Sequence, residues 1–289
     1  MALYTEQLQQ HLDLIERRLA DFLPTDTGIG EIMRYACEGG GKRIRPVLLL
    51  EWCRICGGNP VKAVPFAAAI ECIHSYSLVH DDLPCMDNSP LRRGKPSVHA
   101  QYGETMALLA GDALLNRAFE IILAVKDVAP QTALRAASQL ADHAGVNGMI
   151  GGQVLDLDSE GKAIDLDTLK RLQEGKTAAL LVAACRMGAI LGGGTDVQIE
   201  RAGQYGYYVG LAFQVVDDIL DVTATADQLG KPIGSDDINE KNTYVSLLGL
   251  ERARTLAASY TEQAKAAVED FTNGADLLRL ADVLLTRTR

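Results

Sequence analysis

The sequence predicts an all-α protein built as a single helical bundle, and three observations carry that prediction. Apolar residues recur at spacings of three and four along nearly the whole chain, while alternating stretches suited to strands are hard to find. Glycine- and proline-rich breakers interrupt the pattern: "GGG" at 39–41, "GGNP" at 57–60, "GKP" at 94–96, "GGG" at 192–194 and "GKP" at 230–232. Ala and Leu abound while aromatic residues make up only 5% of the 289, which suits helices packed closely on helices.

Taken in order, "MALYTEQLQQHLDLIERRL" opens an amphipathic helix over 2–22 and lacks the basic start and apolar block of a secretory signal. A short helix follows over 29–37. The next, over 42–57, places Cys53 and Cys56 three apart in "VLLLEWCRICGG". With no second pair nearby, this lone CxxC reads as core packing rather than a zinc or redox site. A long apolar helix over 61–82 ends on acidic residues. Helices over 104–126, 129–144 and 165–173 follow, and "EGKTAALL" opens another over 176–192 at Lys176. The helix over 197–223 ends on a second acidic cluster, and helices over 250–271 and 275–287 complete the bundle.

No composition shift, low-complexity tract or repeat divides the chain, so residues 1–289 read as one domain. No run is long and apolar enough to span a membrane. The six cysteines show no disulfide framework, and a cytoplasmic location is expected. A net charge of −10 disfavours nucleic acid and anionic membranes as partners.

Much of that acidity is concentrated. "DDLPCMD" holds Asp81, Asp82 and Asp87, and "DDILD" holds Asp217, Asp218 and Asp221. Like charges repel and lose hydration near a core, so something must compensate them. Residues on a helix advance by roughly 100° each, which puts Gln214, Asp217, Asp218 and Asp221 on one side. Pro84 disfavours helical continuation, so the chain should bend and return Asp87 toward Asp81 and Asp82. Either cluster alone reads equally well as a solvated helix end. Two of them, each closing a long apolar helix and accompanied by basic motifs, favour divalent metal, and hard oxygen donors suit Mg²⁺ with phosphate.

The basic motifs alternate with the acidic ones. "GGGKRIRP" sets Lys42 and Arg45 on one face after a glycine turn, a place where backbone can approach an anion. "LRRGKP" supplies Arg92 and Arg93, whose forked donors match phosphate oxygens. Lys176, Thr177 and Lys231 complete the set. His74, seven residues before Asp81, has two readings: a donor to phosphate, or a hydrogen bond inside the bundle.

At this point the chain resembles the trans-isoprenyl diphosphate synthases, and in particular the short-chain bacterial farnesyl diphosphate synthases. The resemblance is carried by "GGGKRIRP", "ECIHSYSLVHDDLPCMDNSPLRRGKPSVH", "YGETMALLAGDALL", "GGQVLDLDSEGK", "KTAALL", "GLAFQVVDDILD" and "LGKPIGSDDINEKNTYVSLLGL", in the family's order. It implies the isoprenoid synthase fold, a homodimer and a prenyltransferase. It also implies about three Mg²⁺ per site, held by Asp81, Asp82, Asp87, Asp217, Asp218 and Asp221 on the allylic diphosphate. Lys42, Arg45, His74 and Arg93 match contacts to isopentenyl diphosphate. Arg92, Lys176, Thr177, Gln214 and Lys231 match contacts to the allylic substrate. The residues expected to carry catalysis are Asp81, Asp82, Asp87, Lys176, Asp217 and Asp218. One departure is visible: Ser89 and Pro90 stand where the family commonly has two acids.

The reaction so implied is head-to-tail condensation. An allylic C–O bond breaks, diphosphate leaves, and the double bond of isopentenyl diphosphate attacks the cation. Loss of a proton to the departing diphosphate restores a double bond. Product length in the family depends on side chains just before the first acidic motif, here Tyr76 and Ser77. Tyr76 lies about 140° around the helix from Asp81, so helical geometry leaves it either a core tyrosine or the cavity floor. The resemblance favours a floor and a fifteen-carbon product. A geranylgeranyl diphosphate synthase is the alternative, and a non-catalytic subunit or a terpene cyclase fits less well.

Overall fold

The computed structural model describes residues 2–38, 40–223 and 242–287. It is helical nearly throughout. Helix α1 spans Glu6–Arg18 and runs into a 3₁₀ turn, Leu19–Phe22. Thr5 caps it by accepting the Leu8 amide, while Glu6 in the first turn and Arg17 and Arg18 in the last complement the helix dipole. Helices α2 (Gly28–Glu38), α3 (Ile44–Ile55) and α4 (Pro60–Asp81) follow. Pro60 starts α4 where no amide is needed, behind an Asn59 cap.

The middle of the chain forms α5 (Val98–Tyr102), α6 (Glu104–Leu123), α7 (Pro130–Ala144), α8 (Met149–Ser159) and α9 (Leu166–Gln173). A π turn, Glu174–Ala178, joins α9 to α10 (Ala179–Leu191), and α11 runs Asp196–Thr223. Beyond it lie α12 (Tyr244–Leu248), α13 (Leu250–Ala266) and α14 (Ala275–Thr286).

Helices α3, α4 and α10 form the centre. Val47, Leu48, Leu49, Leu50 and Trp52 on α3, and Phe66 to Ile70 on α4, are wholly buried, as expected of helices apolar on every side. Trp52 meets Tyr205 and Phe271 edge to face, with centroids 5.8 and 5.1 Å away. Cys53 is buried in this core, in keeping with the packing role expected of the CxxC pair. A second apolar cluster joins α11 to α12 and α13 through Leu211, Val215, Tyr244, Ala253 and Ala257. Among the described residues no helix is long and apolar enough to cross a membrane.

Several expected boundaries move. The helix expected from residue 42 begins at Ile44, because Gly40, Gly41 and Arg43 adopt φ of +82°, +143° and +50°. No new helix starts at Lys176; the chain is already helical and loosens there into the π turn. Helix α8 was not expected at all, since Gly151, Gly152 and four polar residues weaken its helical pattern. Short helices α5 and α12 and a two-residue hairpin are also new. That hairpin pairs β1 (Leu91–Arg92) with β2 (Lys95–Pro96).

Candidate active site

A cavity of about 1040 Å³ opens between the C-terminal ends of α4 and α11, the loop before α3, helix α8 and the π turn. Its polar wall is built from three pieces of chain. The first is the glycine loop. Arg43 takes a left-handed conformation and its guanidinium is buried. It donates to Glu71 on α4 at 2.6 Å, to Glu16 on α1 at 2.7 Å and to the Cys37 carbonyl at 2.6 Å. The Tyr4 hydroxyl also donates to the Lys42 carbonyl. So anchored, the loop brings Lys42, and the first turn of α3 brings Arg45, to the cavity.

The electrostatics there favour an anion. Burial pushes the Arg45 guanidinium down to about 10, with Glu71 opposing and Arg93 adding to the shift. Its buried Nε has no hydrogen-bond partner among the described residues. Burial lowers Arg93 too, and its guanidinium packs against Gly41, where a Cβ would come within 2.8 Å. His74 is held well below its ordinary value by burial and then by Arg45, Arg93, Arg43 and Arg92. A neutral imidazole among desolvated cations leaves room for a phosphate group.

The second piece is the end of α4. The chain bends after Asp82, and the Asp87 amide donates to the Asp81 carbonyl at 2.9 Å, so the expected return takes place. Asp81 and Asp87 line the cavity. Burial raises the Asp81 carboxyl, with Asp87 and Asp82 adding to the shift while Lys176 and Arg92 oppose it. Asp82 instead turns inward, and Arg92 Nε reaches both its oxygens at 3.1 Å. The hairpin explains that aim. Arg93 and Gly94 are its two turn residues, both with positive φ as a type I′ turn requires, and they send Arg92 and Arg93 toward different partners. Ser89 donates to the Leu91 carbonyl at 2.9 Å and so closes the loop where the family commonly has acids.

The third piece joins α11 to the π turn. Asp217 lines the cavity, and Arg287 pairs with it at 2.7 Å while stacking 3.8 Å over Phe213. Asp218 and Asp221 are buried instead. Asp218 accepts from Gln214 at 3.1 Å and from the Tyr244 amide at 2.8 Å, and Thr177 donates to Gln214 at 3.2 Å. The six acids therefore do not share one surface: Asp81, Asp87 and Asp217 front the cavity, while Asp82 and Asp218 stand on hydrogen bonds behind it. Among the described residues no three His, Cys, Asp or Glu side chains converge closely enough to hold a metal ion unaided. The wall still offers carboxylate oxygens with room between them, a donor set that fits Mg²⁺ completed by phosphate and water.

Lys176 donates to Asp156 on α8 at 2.5 Å. Burial lowers its ammonium, but Asp156, then Asp81 and Asp87, outweigh burial and raise it overall. The π turn lies against α8 backbone to backbone: a Cβ on Gly152 would fall 2.1 Å from the Lys176 nitrogen, and one on Gly175 2.7 Å from the Gly152 Cα. Lys231 lies outside the described residues.

Tyr76 and Ser77 both line the cavity, although only Ser77 shares the Asp81 face of the helix. Ser77 donates to the His74 carbonyl at 2.9 Å. The site also contains Arg43, Glu71, Asp156, Phe213 and Arg287, which are not among the residues expected from the motifs. Asp156 had a signal, since "GGQVLDLDSEGK" is one of the matching stretches; Arg287 had none, lying seventy residues from Asp217.

The chain matches the polyprenyl synthetase family over residues 26–277. It is 48% identical over 263 residues to a geranylgeranyl pyrophosphate synthase of Capsicum annuum, covering 90% of this chain and 71% of that one. Other curated relatives, at 42 to 47% identity, also carry geranylgeranyl in their names. An FPP/GFPP synthase from Zymomonas mobilis superimposes with a TM-score of 0.84 at 39% identity, covering 96% of this chain and 97% of that one. A geranyltransferase from Helicobacter pylori, complexed with magnesium and isoprenyl diphosphate, gives 0.83 at 33%, covering 99% and 98%. The all-helical architecture is thus the isoprenoid synthase fold. The chain belongs to the polyprenyl synthetase family: it is a prenyltransferase, a short-chain prenyl diphosphate synthase.

Proposed function

We propose that this chain joins isopentenyl diphosphate head to tail onto allylic diphosphates and releases geranylgeranyl diphosphate as its main product. The observation that carries the reaction is the single cavity in which Asp81, Asp87 and Asp217 face Lys42, Arg45, Arg92, Arg93 and Lys176. The names of the curated relatives support twenty carbons better than the fifteen expected from the sequence. A farnesyl product is the second reading, and Tyr76 favours it: its ring lies in the cavity wall.

In this proposal Lys42, Arg45, Arg93 and His74 hold isopentenyl diphosphate. Arg92, Lys176, Thr177, Gln214 and Lys231 attend the allylic diphosphate. Asp81, Asp87 and Asp217 would hold Mg²⁺, three ions by the resemblance, and bound Mg²⁺ supplies Lewis-acid neutralisation of the leaving diphosphate. Asp82 acts from behind by fixing Arg92, and Asp218 by fixing Gln214 and the start of α12. Asp221 lies buried one turn further along α11. Ile150, Val154 and Leu157 on α8 give the cavity an apolar side that limits water at the reacting carbons.

The proposal includes one domain, a homodimer and a cytoplasmic location. The homodimer rests on the resemblance, with exposed Leu108 and Leu109 on α6 in its support. One assay tests the chemistry: purified protein, Mg²⁺, dimethylallyl diphosphate and labelled isopentenyl diphosphate, with products separated by chain length. A twenty-carbon main product is expected, a fifteen-carbon one moves the assignment to the second reading, and absence of transfer sinks both.

A further inference from the structure

The wall on which a prenyl tail would end belongs to one helix and is held by another. Tyr76 and His80 stand four apart on α4 and so share a face, and helical side chains lean toward the N-terminus. The His80 imidazole therefore lies over the Tyr76 ring, edge to face, with centroids 5.8 Å apart. The Tyr76 hydroxyl is buried and has no hydrogen-bond partner among the described residues. Packing, not a hydrogen bond, keeps this ring in place.

His80 is tied to α6. Its Nε2 lies 3.0 Å from the Leu108 carbonyl oxygen, so that nitrogen carries the proton and donates it. The ring lies directly over Gly111, where an added Cβ would come within 2.0 Å of Nε2. Any side chain larger than hydrogen at 111 would evict the imidazole.

We propose that His80, seated over Gly111 and hydrogen-bonded to Leu108, is a positioning residue that sets product length by bracing Tyr76. The inference rests on Tyr76 being the floor of the cavity, whichever product length that floor defines. It needs no contact between His80 and either diphosphate. It also gives Gly111, remote from the acidic motifs in sequence, a part in specificity.

The test uses full-length His80→Ala, Gly111→Ala, Tyr76→Ala and the His80→Ala/Gly111→Ala pair, each supplied with Mg²⁺, dimethylallyl diphosphate and labelled isopentenyl diphosphate. In His80→Ala, products longer than the wild-type main species should rise about threefold to tenfold relative to it, the range that loss of one edge-to-face ring pair gives. Gly111→Ala should shift the mix the same way, and the double variant should go no further than His80→Ala alone. A wild-type mix in His80→Ala beside a lengthened mix in Tyr76→Ala overturns the bracing role and leaves the floor standing. An unchanged mix in Tyr76→Ala removes the floor, and this inference with it. Should His80→Ala fail to fold, an unchanged mix in Gly111→Ala overturns the proposal by itself.

Discussion

At the scale of single residues, the cavity separates groups that act at its surface from groups that hold them there. Asp81 and Asp217 belong to the first kind, one from each helix end. Replacing either with Ala removes a hard oxygen donor but no core contact, so the fold should persist. Turnover at limiting Mg²⁺ should drop about a hundredfold or more, given that metal stabilisation of a leaving group is worth several kcal/mol. Wild-type turnover in either variant, with an unchanged circular dichroism spectrum, would remove that carboxylate from the proposed set. Lys42 sits on the glycine loop and Arg45 in the first turn of α3, both away from the acidic ends. Their Ala variants should raise the KM for isopentenyl diphosphate about tenfold, the value of one charge-assisted contact, and leave the allylic KM nearly unchanged. The reverse pattern in steady-state kinetics would exchange the two diphosphate sites.

At the scale of elements, the π turn and α8 form the least expected part of the site. The sequence shows the long apolar helices plainly, because α3, α4, α10 and α11 owe their helical state to burial and to a period that can be read directly. Asp81 and Asp217 were legible for the same reason, as charges at the ends of such helices. Helix α8 was not, because Gly151 and Gly152 read locally as a breaker while their use is long-range: Gly152 admits the backbone of the π turn. The inward turn of Asp82 was equally hidden, since it depends on a hairpin whose only local sign is Gly94 after Arg93. Gly175→Ala tests the backbone contact. The added methyl would meet the Gly152 Cα at 2.7 Å, backbone that has little room to retreat. Overpacking of this kind costs about 1–3 kcal/mol. Thermal unfolding should shift down accordingly, and the displaced Lys176 and Thr177 should raise the allylic KM while sparing that for isopentenyl diphosphate. Equal rises in both would mean general damage, not a displaced π turn.

At the scale of the whole molecule, buried ionisable groups tie stability to pH in two separate windows. Burial and the surrounding guanidiniums depress the folded-state value of His74, so as pH falls the unfolded chain takes up this proton before the folded one does. Its contribution is complete above about pH 6.5 and is lost on going lower, with a limiting slope of about 1.4 kcal/mol per pH unit. His74 lines an open cavity and keeps some contact with solvent, so its share lies below that limit. Glu51 acts later. Burial alone would raise its carboxyl, but hydrogen bonds from Arg54 and His11 outweigh burial and hold it below the usual range. That contribution persists above about pH 4.3 and is lost below it. Urea unfolding of the ligand-free protein should therefore show stability falling between about pH 7 and about pH 5, then falling again in stronger acid. His74→Gln, neutral throughout, should shrink the first decline to the share of His143, whose imidazole burial also lowers, and leave the second intact. If the first decline survives that substitution unchanged, neither burial nor the cationic wall holds His74 neutral, and that wall loses its claim to be preorganised for an anion.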